Sequence, residues 1–86
     1  MMHHMSKDIK CDCKILFGNR LKKLRQEKGI SQEFLALTAG LDRTYVSGCE
    51  RGVRNIGLEN IYKLAMALDV SPELFFKDED YHKHDT

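Results

Sequence analysis

Apolar residues recur through the middle of this chain at helical spacing, and glycines interrupt them at short intervals. Phe17, Leu21 and Leu24 stand at i, i+4 and i+7, which a 3.6-residue period lines up on one face of a helix starting near Ile15. Arg20, Lys22, Lys23 and Arg25 fall off that stripe, and Gly29 supplies the left-handed backbone that ends such a helix. Ser31 is placed to N-cap a second helix, with Glu33 in its first turn complementing the positive end of the dipole. Phe34 or Leu35, together with Ala36 and Ala39, forms its inner face until Gly40 breaks it.

Asp42 caps a third helix that runs to about Arg51 and is closed by Gly52. A fourth spans about Leu58 to Leu68, with Ile61, Leu64, Ala65 and Leu68 on one side and Gly57 as a weaker cap than serine or threonine. Ser71-Pro72-Glu73 combines a cap, the only proline at the first helical position and an acid in the first turn, so a fifth helix carrying Leu74, Phe75 and Phe76 is expected. No segment alternates as a strand. The expected class is all-α: a compact domain of five short helices over residues 15–77. Residues 1–14, which lack periodicity, form an arm, of which the opening MMHHM reads as a tag remnant. Residues 78–86 are an acidic tail.

Composition narrows the function. With 86 residues the chain holds one domain, near the lower end of what folds unaided, so a second subunit is an expected stabiliser. The net charge of +1 conceals a division. Arg20 to Arg54 holds eight Lys/Arg against four Asp/Glu, a balance of about +4, whereas Asp69 to Thr86 is about −4. A basic centre with an acidic tail suits a body that binds a polyanion. No apolar run reaches transmembrane length, and no secretory signal pattern is present. The 3 cysteines are odd in number and poorly spaced for a disulfide framework, which points to a reducing cytoplasm. His3, His4, His82 and His84 all lie in the terminal segments, where no pocket can form around them, so catalysis is not expected. Cys11-Asp12-Cys13 lacks the usual zinc-site spacing, and no metal or cofactor is expected.

The residues that carry function begin at Gln32. Ala36 follows at +4, Gly40 at +8, Val46 at +14 and Cys49 at +17. Each has a mechanical reason in a helix-turn-helix. Ala36 is small where two helices cross, Gly40 permits positive φ in the turn, and Val46 and Cys49 point back into the core. With those two inward, 100° per residue puts Thr44, Ser47, Gly48 and Arg51 on the outer face, flanked by Arg43 and Tyr45. An arginine there can pair with guanine O6 and N7 or clamp a phosphate, and Thr44 can meet a thymine methyl or a phosphate. Gly48 reads as a bare spot that lets the backbone approach a groove wall. Tyr45 either packs half-buried against the second helix or reaches the DNA backbone. Cys49 reads as an inert buried thiol.

The stretch SQEFLALTAGLDRTYVSGCERGVRN, with LENIYKLAMALDVSPELFF after it, resembles the lambda-repressor-like, Cro-type helix-turn-helix family over about Phe17 to Phe76. Within it, LDRTYVSGCERGVRN is similar to the controller proteins of bacterial restriction–modification systems. That resemblance implies a small homodimeric transcription factor that binds operators upstream of its own and the endonuclease genes, activating at low occupancy and repressing at high. It implies that Arg43, Thr44, Tyr45 and Ser47 face the major groove or its edge. It further implies that Arg51, Arg54 and Asn55 make phosphate and secondary groove contacts, with Gln32 on a backbone phosphate. Ile56-Gly57 replaces the more usual Pro-Ser, and Cys49 the common isoleucine. Leu74, Phe75 and Phe76, joined by Ile61 and Met66, are the expected dimer seam; the alternative is that both phenylalanines close the monomer core, which Phe75 can do more readily than Phe76. By resemblance Glu33 is a contact patch for RNA polymerase, although its dipole role alone accounts for it. The rival function is an antitoxin or phage-type repressor whose tail holds a protein partner.

Overall fold

The computed structural model describes residues 11–77. Among the described residues four α-helices follow one another: α1 (Cys13–Glu27), α2 (Gln32–Ala39), α3 (Arg43–Arg51) and α4 (Leu58–Leu68). A single turn of 3-10 helix, Pro72–Phe75, follows them. The five-helix expectation is therefore corrected to four helices and a turn. At that turn Leu74 N–H bonds to Ser71 and Phe76 N–H to Glu73, the i→i+3 pattern, each at 2.9 Å. The carbonyl of Leu74, in this last turn, accepts from Arg20 Nε at 2.8 Å. A side chain of α1 thus ties the last element to the first.

Capping fixes the other boundaries. Asp12 occupies the N-cap of α1, which starts two residues ahead of the expected Ile15, and Leu16 N–H closes the first turn onto Asp12 O at 2.9 Å. Ser31 Oγ accepts from Phe34 N–H at 3.0 Å, as its position ahead of α2 predicts. Asp42 stands at the N-cap of α3 without a side-chain bond to it, and Gly57 does the same for α4. Between α2 and α3, Gly40 takes φ of 74°, a conformation that an L side chain rarely adopts.

The inward stripes meet in one core. Phe17, Leu21 and Leu24 of α1 join Leu35 and Ala36 of α2, Val46 and Cys49 of α3, Leu64, Ala65 and Leu68 of α4, and Phe75. Burying each of the larger side chains contributes about 1.5–3 kcal/mol. Leu35 rather than Phe34 points inward on α2, because Phe34 remains more than half exposed. Phe75 is fully buried and packs tilted on Phe17 with ring centroids 4.8 Å apart. It closes the monomer core and is removed from the expected dimer seam.

One contact sets how α1 meets α3. A Cβ built on Gly18 would stand 2.7 Å from the Glu50 carbonyl oxygen, so only glycine lets the helix backbones come this close. Beside it, Arg25 grips the Glu50 carboxylate through Nε and a terminal nitrogen at 2.6 and 3.1 Å, and also donates to Ile30 O at 2.7 Å. No described helix is long and apolar enough to cross a membrane. Residues 1–10 of the expected arm, with His3 and His4, and the tail 78–86, with His82 and His84, lie outside the described residues.

Candidate nucleic-acid interface

α3 is amphipathic because its inward positions recur at three and four. Val46 and Cys49 are fully buried. Their burial turns Arg43, Thr44 and Arg51 to solvent, with Ser47 half-exposed between them. Those four side chains line one open groove together with Val53 and Arg54 of the following loop. Arg51 donates to Ser47 Oγ at 3.3 Å, one helical turn back, so the two act as one hydrogen-bonding unit. The groove therefore presents three guanidinium groups and two hydroxyls, and among the described residues no carboxylate lies within ion-pair distance of those guanidiniums. Such a surface binds an anion.

Three expected residues sit differently from a bare outer face. Gly48 is not an exposed gap: it is buried, and a Cβ there would stand 2.9 Å from Arg54 Cγ and 3.1 Å from Arg54 Nε. The Arg54 stem fills the space read in the sequence as clearance for DNA. Tyr45 is half-buried against the core, with its hydroxyl accepting from Asn60 Nδ2 of α4 at 3.0 Å. Its bonded neighbour is thus α4, where the sequence suggested α2. Gln32 donates from Nε2 to Glu50 Oε1 at 2.9 Å, which ties the start of α2 to the end of α3 and leaves a second N–H on the same nitrogen.

Asn55 is exposed and lines a second, mostly apolar cleft with Lys14, Phe17, Ile56, Ile61 and Phe76; Arg54 borders both this cleft and the groove. Phe76 is about half exposed there, its ring 5.8 Å from that of Phe17. Ile61 and Phe76 thus come together, and Leu74 is half-buried against the core. Met66 does not join them: it lines another cleft with Thr38, Ala39, Lys63 and Ala67. Five residues along a helix is a rotation of about 140°, so Ile61 and Met66 cannot share one flat seam. Glu33 is exposed in the first turn of α2.

The residues missed in the sequence are Gly18, Arg25, Glu50 and Asn60. Glu50 was detectable, since it stands four residues after the buried Val46 and must share its inward face. Its partner across α1 was not. For Cys49, burial pushes the thiol pKa up, while the Tyr45 hydroxyl and the Arg54 charge pull it down. Cys13 is exposed and its pKa is also raised, chiefly through a hydrogen bond with Cys11. Among the described residues no cluster of three or more His, Cys, Asp or Glu could hold a metal ion.

Residues 21–75 match the helix-turn-helix family HTH_3. The control protein C.MunI of Mycoplasma sp is 48% identical over 68 residues, covering 78% of this chain and 92% of its own. The restriction–modification controller protein C.AhdI of Aeromonas hydrophila has a crystal structure that superposes with a TM-score of 0.73 at 57% identity, over 73% of this chain and 96% of that one. The controller protein C.Esp1396I, crystallised as a tetramer with its natural 35 base-pair operator, gives a TM-score of 0.72 at 38% identity, over 79% of this chain and 90% of that one.

Proposed function

This chain belongs to the helix-turn-helix family, among the restriction–modification controller proteins, and is a DNA-binding regulator of transcription rather than an enzyme; on that premise we propose how it engages its operator. α3 enters the major groove while α2 crosses the backbone, the docking rule general to helix-turn-helix proteins. The observation that carries this reading is the single groove in which Arg43, Thr44, Ser47 and Arg51 converge with Arg54, without a carboxylate partner among the described residues.

Arg43, at the exposed first turn of α3, reads a guanine through two donors. Thr44 and Ser47 contact a thymine methyl, a base edge or a phosphate. Arg51, Arg54 and Asn55 hold the flanking backbone. The second Nε2 hydrogen of Gln32 remains able to donate to a phosphate oxygen while its bond to Glu50 persists, and Tyr45 stands at the edge of the major groove. Two such domains read half-sites about 34–36 Å apart. Ile61 and Phe76 form the centre of the dimer seam, with Leu74 beside them, because their cleft is an apolar surface against Phe17 that the monomer core leaves open. The protein acts in the bacterial cytoplasm on its own and the endonuclease promoter; Glu33, exposed in the first turn of α2, is placed to contact RNA polymerase, although its dipole role alone accounts for it.

Selection of duplexes from random DNA tests the reading. Recovery of a two-fold symmetric sequence, bound with an affinity that falls steeply with salt, is expected. Failure to enrich any sequence, or an affinity indifferent to salt, would remove it. A methyltransferase and an endonuclease gene are expected beside this one; a toxin gene there instead would contradict the controller role.

A further inference from the structure

The glycine in the middle of α3 faces a side chain of its own molecule, and that contact has a mechanical consequence. Gly52 closes α3 in the left-handed conformation, with φ of 78°, and Val53 N–H returns to Gly48 O at 3.1 Å. This C-terminal closure reverses the chain and lays the next residue, Arg54, back along the helix it has just left. Its stem crosses Gly48, where a Cβ would meet Cγ at 2.9 Å, Nε at 3.1 Å and Cδ at 3.5 Å. Its guanidinium carbon then lies 5.3 Å from the centroid of the Tyr45 ring, within cation–π range. Tyr45 is itself held, through the bond from Asn60 on α4.

We infer that Gly48 is a seat for Arg54, and that Gly48, Tyr45 and Asn60 are positioning residues that hold this guanidinium ready for DNA phosphate before the duplex arrives. A free arginine must give up rotamer freedom to make such a contact, and a seated one has already done so. The contacts that seat it use the stem and one face of the guanidinium, so its N–H donors stay available, and no carboxylate among the described residues competes for them. The glycine is therefore kept in a helix interior, where alanine is the better helix former, for the space that its missing side chain leaves. This rests on the DNA-binding reading above and adds to it how one contact is prepared.

The test separates the seat from ordinary helix stability. In Gly48→Ala the new methyl displaces the Arg54 stem, while helix propensity rises. The expected result is an unchanged or higher melting temperature together with DNA affinity about five- to tenfold weaker. The probes are the duplex selected by the wild-type protein and a random-sequence duplex of equal length. Arg54→Ala should weaken both similarly and lower the slope of log affinity against log salt by about 1. In the Arg54→Ala background, Gly48→Ala should then have no further effect. Asn60→Ala, which releases Tyr45 without adding bulk, should give a smaller loss that also vanishes in that background. Wild-type affinity in Gly48→Ala, or losses that add in the double variant, would overturn the seat. No binding of either duplex by the wild-type protein would instead overturn the DNA reading itself, and the seat with it.

Discussion

Arg25 and Glu50 are joined side chain to side chain across the α1–α3 crossing by two hydrogen bonds, 2.6 and 3.1 Å long. Glu50 is nearly out of solvent, and its Oε1 also accepts from Gln32. Three helices thus share one carboxylate, which fixes α2 relative to α3 and hence the helix-turn-helix itself.

Removing one member of that group leaves a buried charge without its partner. Glu50→Ala should destabilise the fold by about 3–5 kcal/mol, read from the shift in urea midpoint. A loss below about 1 kcal/mol would mean that the pair behaves like a surface ion pair.

Arg43→Ala leaves the core untouched, since the side chain is exposed on α3. Affinity for the selected duplex should weaken by about 1–3 kcal/mol, and preference at one base step should relax. An unchanged footprint and affinity would take Arg43 out of base readout.

The two adjacent phenylalanines should separate stability from assembly. Phe75→Ala empties a fully buried site and should destabilise the fold by about 3–5 kcal/mol. Phe76→Asp, on the exposed cleft, should shift sedimentation from dimer to monomer while the far-ultraviolet circular dichroism stays helical. A dimer that survives Phe76→Asp would move the seam elsewhere.

Cys49 predicts a pH dependence. Burial raises its pKa above the ordinary thiol value of 9.0, so the folded protein keeps the proton more tightly than the unfolded chain does. Its contribution is therefore complete below 9.0 and is lost as pH rises from there through the folded-state pKa. Urea midpoints measured from neutral to alkaline pH should fall more steeply for the wild type than for Cys49→Val. Equal slopes would show that other groups account for the fall.

Several of these features were legible before the structure. The stripe Phe17, Leu21 and Leu24 marked one face of α1, and Ser31 and Gly40 set the bounds of α2, because caps and helical period act over a few residues. The inward placement of Val46 and Cys49 followed from the same period. The last element was misread since Pro72 announces a helix start locally, whereas the end of the turn is tied through Leu74 O to Arg20, 54 residues away in sequence. Phe75 and Phe76 are chemically identical neighbours, and only the depth of the core beneath Phe17 separates a buried ring from an exposed one.

By itself the chain's order of residues determined the segments α1 to α4, which faces of them are apolar and which side of α3 carries the guanidinium and hydroxyl groups. Those follow from backbone geometry and hydration acting over one or two turns. Only the folded molecule decided that Gly48 makes room for Arg54, that Gln32 shares Glu50 with Arg25, and that Ile61 meets Phe76 but not Met66. The physical reason is that these pairings depend on how helices cross and how a loop returns, and the spacing of residues within any one helix does not contain that distance.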